Sequence, residues 1–420
     1  MKLSLEKQND QYHFTIFFMI LLVTLARYSI PLGFSLKPYM IFLLFFMFIH
    51  LFSFHFQRLQ SYEVAMLLFY FVYCYTGVFA LHPESSLRIL LGIILYLTCY
   101  FIMKSVFSYA SSNVIEKGLS FGGIFFNIAS LALYVIGLQK VDLALDGENV
   151  ISFGVLSDRG YPRLIGLLED PNFFVFYNTI FFAYYLCHAD TWRNKFGLLL
   201  CVAANILTFS RGGLAALIIV FLVYLSLNKP LKQLKILLGS ILSLSLLAYV
   251  IIIKFKFDAI GMIEARMEDF SSDGGSGRFE LWERAWDMFS NHMVLGVGAF
   301  NFSEYNLFYY NDTLTVHNTF LDILSESGLF GFSFYFAFVI LVLMQLWKFQ
   351  IYKKKQYLFL TYIGFMLQMV SLSVIINDMF FLYLAILSTY IHTIGQQEQA
   401  FISSRKIIRE TSTSIYKGAS

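Results

Sequence analysis

The run LFGFSFYFAFVILVLMQLW at residues 329–347 decides the fold class. It holds no charged residue, and roughly 20 apolar residues in a helix cross the hydrocarbon core of a bilayer. Lys348 closes the run, and Lys353-Lys354-Lys355 precede two further apolar runs at 357–376 and 379–395. Upstream, similar runs lie at 13–34, 39–56, 63–81, 88–108, 118–138, 173–188, 195–210, 212–228 and 236–255, which makes twelve expected spans. All six prolines fall at the ends of these runs or between them, where a missing N–H costs least.

Composition agrees with this segmentation. The 420 residues are 58% hydrophobic and 14% charged, with a mean hydropathy of +0.67, which excludes an ordinary soluble domain. Lys2 and Lys7 precede the first run as they would in a signal peptide. That run passes Arg27 without a small-x-small cleavage site, so it reads as a retained first span. A formal charge of +3 without a basic tract gives no reason to expect nucleic acid. Cys74, Cys99, Cys187 and Cys201 all lie in apolar runs with no close-spaced pair, a pattern for neither disulfide nor zinc.

Lysine and arginine in short connections set the orientation. With the N-terminus inside, 18 of the 30 fall on the cytoplasmic side, among them Arg58, Lys104, Lys117, Arg193, Lys195, Lys229 and the 353–355 triplet. The inverted topology would put that triplet outside. Both termini are therefore expected in the cytoplasm, with residues 1–395 forming the transmembrane domain and 396–420 a polar cytoplasmic tail. Two long segments, 139–172 and 256–328, are then external. The second contains the Ser/Gly run at 271–277, then a helical pattern in which Phe279, Trp282, Trp286 and Phe289 share an aromatic face. That face suits packing on the membrane domain or the interface better than a sugar platform.

Several polar residues stand out against this background. Ser210-Arg211-Gly212-Gly213 forms a hinge between two runs, where a guanidinium and exposed N–H groups can meet an anion. The same residues would also serve an arginine reaching lipid headgroups beside a tight turn. Arg284 has Glu280 one turn before it, an ordinary ion-pair spacing, whereas Arg278 has Trp282 at i+4 and is freer for an anionic ligand. His317 opens a stretch in which Asn318, Asp322, Ser325 and Glu326 share a helix face. At a helix N-terminus beside Leu321 and Leu324 it is biased toward neutral imidazole, which can accept a proton. No Asp-x-Asp, lysine-bearing phosphate loop, Gly-x-Ser-x-Gly or His-Glu-x-x-His is present.

In order and spacing these pieces resemble one family. Ser-Arg-Gly-Gly at 210–213, Gly-Arg followed by Trp at 277–282, Val-Leu-Gly-Val-Gly at 294–298 and His-Asn-Thr-Phe-Leu through Glu-Ser-Gly-Leu-Phe-Gly at 317–331 are similar to the O-antigen ligase and polymerase superfamily. Arg163-Leu164-Ile165-Gly166 with Asp170-Pro171-Asn172 is similar to a segment that precedes the core of polymerase-like members. The resemblance implies an all-α, GT-C-like polytopic membrane bundle of about twelve helices with a long external loop carrying short helices. It implies inverting, metal-independent and cofactor-free glycosyl transfer from an undecaprenyl-diphosphate-linked oligosaccharide at the outer face of a bacterial cytoplasmic membrane. Carried over by motif, Arg211 and Arg278 bind the diphosphate and His317 takes the proton of the attacking hydroxyl. Arg163 and Arg284 are expected to assist on the phosphates, and Asn318, Asp322 or Glu326 to orient His317 or the acceptor.

The acceptor stays open at this point. A second lipid-linked repeat unit makes a polymerase, with a chain-length regulator protein as a further partner; lipid A core makes a ligase; a protein hydroxyl makes a protein-glycosylating enzyme. A transporter or lipid-linked sugar flippase is the alternative from another class. It would show repeated halves and ionisable groups at mid-membrane, whereas here the ionisable candidates gather externally and Arg27 and Lys104 look isolated.

Overall fold

The computed structural model describes residues 12–31, 35–54, 56–140, 150–158, 161–231, 233–235, 237–239, 245 and 277–396. The expected span at 236–255, the run at 271–276 and the tail after residue 396 lie outside the described residues, apart from 237–239 and 245. The first helices are α1 (His13–Val23), α2 (Pro38–Ile49), α3 (Ser61–Thr76), α4 (Pro83–Ser108) and α5 (Ser112–Lys140). Next come α6 (Pro171–Cys187), α7 (Trp192–Leu207) and α8 (Arg211–Ser226). After the undescribed stretch follow α9 (Arg278–Asn291), α10 (Phe302–Tyr310), α11 (Thr319–Lys348), α12 (Ile351–Lys354) and α13 (Gln356–Met369), and finally α14 (Asp378–Gln396).

Five of these, α3 with its 3-10 extension to Phe79, α4, α5, α11 and α14, are long and apolar enough to cross a membrane; α1, α2 and α8 are apolar but shorter. α6 and α14 run through the middle of the molecule. Phe174 through Leu186 are buried without interruption in α6, and so are Asp378 through Ile391 in α14. A helix apolar all round belongs in such a position. Polar side chains join the packed helices: Asn127 of α5 donates to Asn178 of α6 at 2.9 Å, and Asn178 donates to Asn205 of α7 at 3.1 Å.

The chain is mostly helical, as expected of a helical membrane protein, and it also carries a few short strands. Two small antiparallel sheets are present, β1 (Ile30–Pro31) with β2 (Ser35–Leu36), and β3 (Val150–Ser152), β4 (Val155–Asp158) and β5 (Tyr161–Leu164) in that order. Phe153, with φ of 49°, and Gly154 make the turn between β3 and β4. Such short strands between charged stretches carry too little hydrophobic pattern to stand out beside the helices.

Bonds between connections sort them into two ends. At one end the Arg27 guanidinium donates to Phe153 O at 2.7 Å, His82 N donates to Asn301 Oδ1 at 2.9 Å, and Thr319 Oγ1 donates to Leu372 O at 2.6 Å. At the other end Lys355 pairs with Glu116 at 2.5 Å and Gln345 donates to Ser61 at 2.7 Å. α5, with 29 residues and so about 43 Å long, runs between the two. Arg27 and Lys104 are not isolated as expected. Lys104 forms a buried ion pair with Glu63 at 2.7 Å, while Arg27 is engaged by the sheet turn.

α11 is broken within its length. Gly328 has φ 62° and ψ −166°, and the segment 293–298 fills the break with its own backbone. Val297 N and Gly298 N donate to Ser325 O and Glu326 O, both at 2.9 Å, while Leu329 N donates to Met293 O at 2.8 Å. The backbone groups freed by the break are thus satisfied by protein. Close approach needs glycine on both sides: a Cβ on Gly296 would lie 2.4 Å from the Glu326 carbonyl carbon, and one on Gly328 2.4 Å from that of Val294.

Candidate active site

Four helices begin at the same end and their first residues carry the candidate chemistry. Asp-Pro-Asn starts α6: Asp170 Oδ1 accepts from Asn172 N at 2.7 Å and Phe173 N at 3.0 Å, with Pro171 in the first turn. Phe209, with φ of 50°, turns the chain into α8, where Ser210 Oγ accepts from Gly213 N at 3.3 Å and Arg211 is the first helical residue. Arg278 is the first residue of α9, after Gly277 at φ 72°. Asn318 caps α11 through Phe320 N at 3.1 Å and Leu321 N at 3.2 Å. His317 stands immediately before that cap with φ of 53°, so it is not on the helix as expected; the left-handed residue swings it off the helix face.

Side chains lace these starts together. Asn172 Oδ1 accepts from Ser210 Oγ at 2.6 Å and from Arg163 Nη2 at 3.5 Å, and Arg163 Nε donates to Thr208 O at 3.0 Å. Thr319 Oγ1 also accepts from Val374 N at 2.9 Å, and a Cβ on Gly212 would lie 2.8 Å from Ser371 Oγ. The 371–374 connection thus touches the starts of both α8 and α11. Trp282 of α9 donates from its indole nitrogen to Val316 O at 3.1 Å.

The resulting electrostatics are those of an anion site. Burial works against the charge on Arg278 and so does neighbouring Arg211, while Asp170 supports it. His317 is held below the ordinary imidazole value, first by burial and then by the Arg278 charge, with Asp170 opposing. Arg211, Arg278, His317 and Asp170 therefore share one electrostatic neighbourhood. Helix N-termini add partial positive charge, which favours phosphate. A neutral imidazole near the Arg278 guanidinium can accept a proton while that cation, with Arg211 near it, attracts an anion.

The other expected residues divide. Arg163 is buried and braces the turn before Arg211, and Asn318 shapes the backbone at His317. Arg284 is held instead by Glu280, by Asp312 at 3.0 Å and by Asn306 Oδ1 at 2.8 Å, over the Tyr310 ring. Its fork is occupied by carboxylates, so the expected contact with phosphates gives way to a clamp between α9 and the loop after α10. Glu326 is buried and accepts from the Tyr73 hydroxyl and from Phe302 N at 3.0 Å, so its carboxylate joins the start of α10 to α3. Asp322 is buried beside Glu326. The aromatic face on α9 also straddles its boundary: Phe289 is buried with Leu281, Ala285 and Met288, whereas Phe279 and Trp286 are exposed.

Sequence reasoning passed over Asp170, Asn172 and Ser210 as site residues. Asp-Pro-Asn is a helix-start signature, and that signal was readable. Among the described residues no group of three or more His, Cys, Asp or Glu could hold a metal ion.

Residues 196–336 match the family model described as O-antigen ligase. The matched stretch contains Arg211, Arg278 and His317, while Arg163, Asp170 and Asn172 lie before it. No curated protein matches the chain.

Proposed function

We propose that this chain, a member of the O-antigen ligase and polymerase superfamily through residues 196–336, is a polymerase-type glycosyltransferase of the bacterial cytoplasmic membrane. It moves a glycan from an undecaprenyl-diphosphate-linked donor to a sugar hydroxyl of a second lipid-linked repeat unit, at the outer face. The observation that carries the reading is the meeting of Arg211, Arg278 and His317 with Asp170 at four helix starts. The end opposite that site carries Lys353, Lys354 and Lys355. Positive connections are retained in the cytoplasm, which supports a site on the outer side.

The acceptor oxygen attacks the anomeric carbon from the face opposite the diphosphate, which inverts the configuration. A carbon–oxygen bond forms as the one to the leaving diphosphate breaks, and the leaving group keeps that electron pair. His317 takes the hydroxyl proton, since a sugar hydroxyl is a poor nucleophile without a base. Arg211 and Arg278 stabilise the charge that develops on the diphosphate. The likeness of the 163–172 segment to polymerase-like members supports a repeat-unit acceptor. The description of the matched family favours a second reading, transfer to lipid A core.

The test uses purified protein and lipid-linked repeat units as the sole substrate. Growth of polymer is the expected result. Transfer only after lipid A core is added would select the ligase reading, and no transfer to either acceptor would overturn both. Polymer growth is expected to persist in excess chelator, since the guanidiniums supply the charge that the leaving group needs.

A further inference from the structure

Trp282 has a place in the site that the glycosyl-transfer scheme leaves unused. It lies one turn after Arg278 on α9, so the two side chains share a face of that helix. Its indole N–H donates to the carbonyl of Val316 at 3.1 Å, and Val316 immediately precedes His317. Val316 is fully buried in a small core with Leu281, Ala285, Met288, Val297 and Phe302, against which the Trp282 ring packs. The Phe279 ring meets it edge-on at 5.5 Å. On the other side of His317 the Asn318 side chain caps α11. His317 itself holds the left-handed backbone conformation, which for a residue with a side chain persists only when its surroundings impose it.

We propose that Trp282 is a positioning residue that ties the proton-accepting His317 to the leaving-group arginine, through its hydrogen bond to Val316 O. This rests on the glycosyl-transfer reading for its chemical meaning, but the geometry is independent of it. α9 is joined to the segment at 277 and α11 to the membrane bundle, so this bond couples two elements that each bring one reacting group. Buried indole N–H groups take a partner, and here the partner is the one carbonyl whose rotation would carry His317 with it. Loss of the donor leaves the ring packing but frees the Val316 peptide to turn. His317 then moves relative to Arg278 and Asp170, the two charged groups that act on it.

The experiment measures His317 without any glycan assay. Purified wild-type protein, Trp282→Phe and Arg278→Gln are treated with diethyl pyrocarbonate across a pH series, and modification of His317 is followed by mass spectrometry. Arg278→Gln removes a charge that depresses His317, so its inflection moves to higher pH. Trp282→Phe is expected to move it away from the wild-type position, with unchanged modification of His188 and His392 at the far end. An inflection identical to wild type would overturn the proposal. If Trp282→Phe does not purify as folded protein, Trp282→Leu, which likewise has no donor, is read by the same criterion. Where polymer growth is established, Trp282→Phe should lower kcat about tenfold with donor KM little changed, the pattern of misplaced groups. A shifted inflection with no transfer in wild type would uphold the positioning and reject only the activity.

Discussion

Asn172 accepts a hydrogen bond from Ser210 at 2.6 Å, and this contact holds the first turn of α8 against the first turn of α6. Arg163 adds a second bond to the same oxygen while binding the Thr208 carbonyl, so the turn leading into Arg211 is fixed from two sides. Only the oxygen of Asn172 is used in those two contacts. Asn172 Nδ2 also donates to Asp170 Oδ2 at 3.5 Å, so a carboxylate at 172 would meet a like charge. Ser210→Thr, which keeps the hydroxyl donor, should retain most activity, whereas Asn172→Ala should lose up to about 10²-fold, the scale of a displaced reacting group. Rates of polymer growth at equal membrane levels check this; equal rates for the two variants would break the link between the contact and Arg211.

Removal of the reacting groups themselves should leave distinct signatures. Arg211→Ala and Arg278→Ala are each expected to lower kcat/KM by about 10²–10³, the worth of one donor on developing charge. His317→Ala should cost about 10²–10⁴, since it removes the base. Donor binding separates the two kinds, because under the proposed roles the guanidiniums would hold the diphosphate and the imidazole would not. A labelled lipid diphosphate should bind His317→Ala nearly as well as wild type and bind both arginine variants more weakly. Equal loss of binding in all three would argue for a collapsed site.

The sequence carried the membrane character in runs such as 329–347, because apolar length is a one-dimensional property. Arg211, Arg278 and His317 were legible as candidates from their motifs, and in the structure Arg278 lies within electrostatic reach of Arg211, Asp170 and His317. What stayed hidden depends on partners far along the chain. Glu326 looked like a partner for His317 because both lie in one motif, yet Tyr73, 253 positions away, takes its carboxyl. Arg284 had a visible mate in Glu280, but Asp312 and Asn306 complete its enclosure only after the loop folds back. Lys104 and Glu63 sit 41 positions apart and pair across two helices, so neither announces the other.

The pH dependence follows from the charges around His317. Burial and Arg278 lower its value, and Asp170 raises it. The imidazole must be neutral to accept a proton, so kcat/KM should rise with pH through that lowered value and then level off. The acid limb is therefore expected below the ordinary imidazole value of about 6.5. Asp170→Asn keeps an effective helix cap and removes the negative charge that supports the imidazolium. Its acid limb should move to still lower pH. A limb that stays in place, or moves upward, would contradict the placement of Asp170 beside His317.

Gly328 and Gly92 make a matched pair for the broken helix. At Gly328 the backbone is left-handed, and a Cβ would stand 2.4 Å from the Val294 carbonyl carbon, with no flexible side chain to yield. Alanine there bears a backbone strain of about 1–3 kcal/mol in addition to the clash, and it pushes out the 293–298 segment that fills the break. Gly92 lies inside α4, and a Cβ there meets nothing nearer than the Ile376 Cδ1 atom at 3.9 Å. Alanine at that position should be neutral or gain about 0.5–1 kcal/mol from helix propensity. Melting in detergent distinguishes them: Gly328→Ala should melt well below wild type, and Gly92→Ala at or above it. A Gly328→Ala protein with wild-type melting would mean that the break in α11 is not held by its contact with Val294.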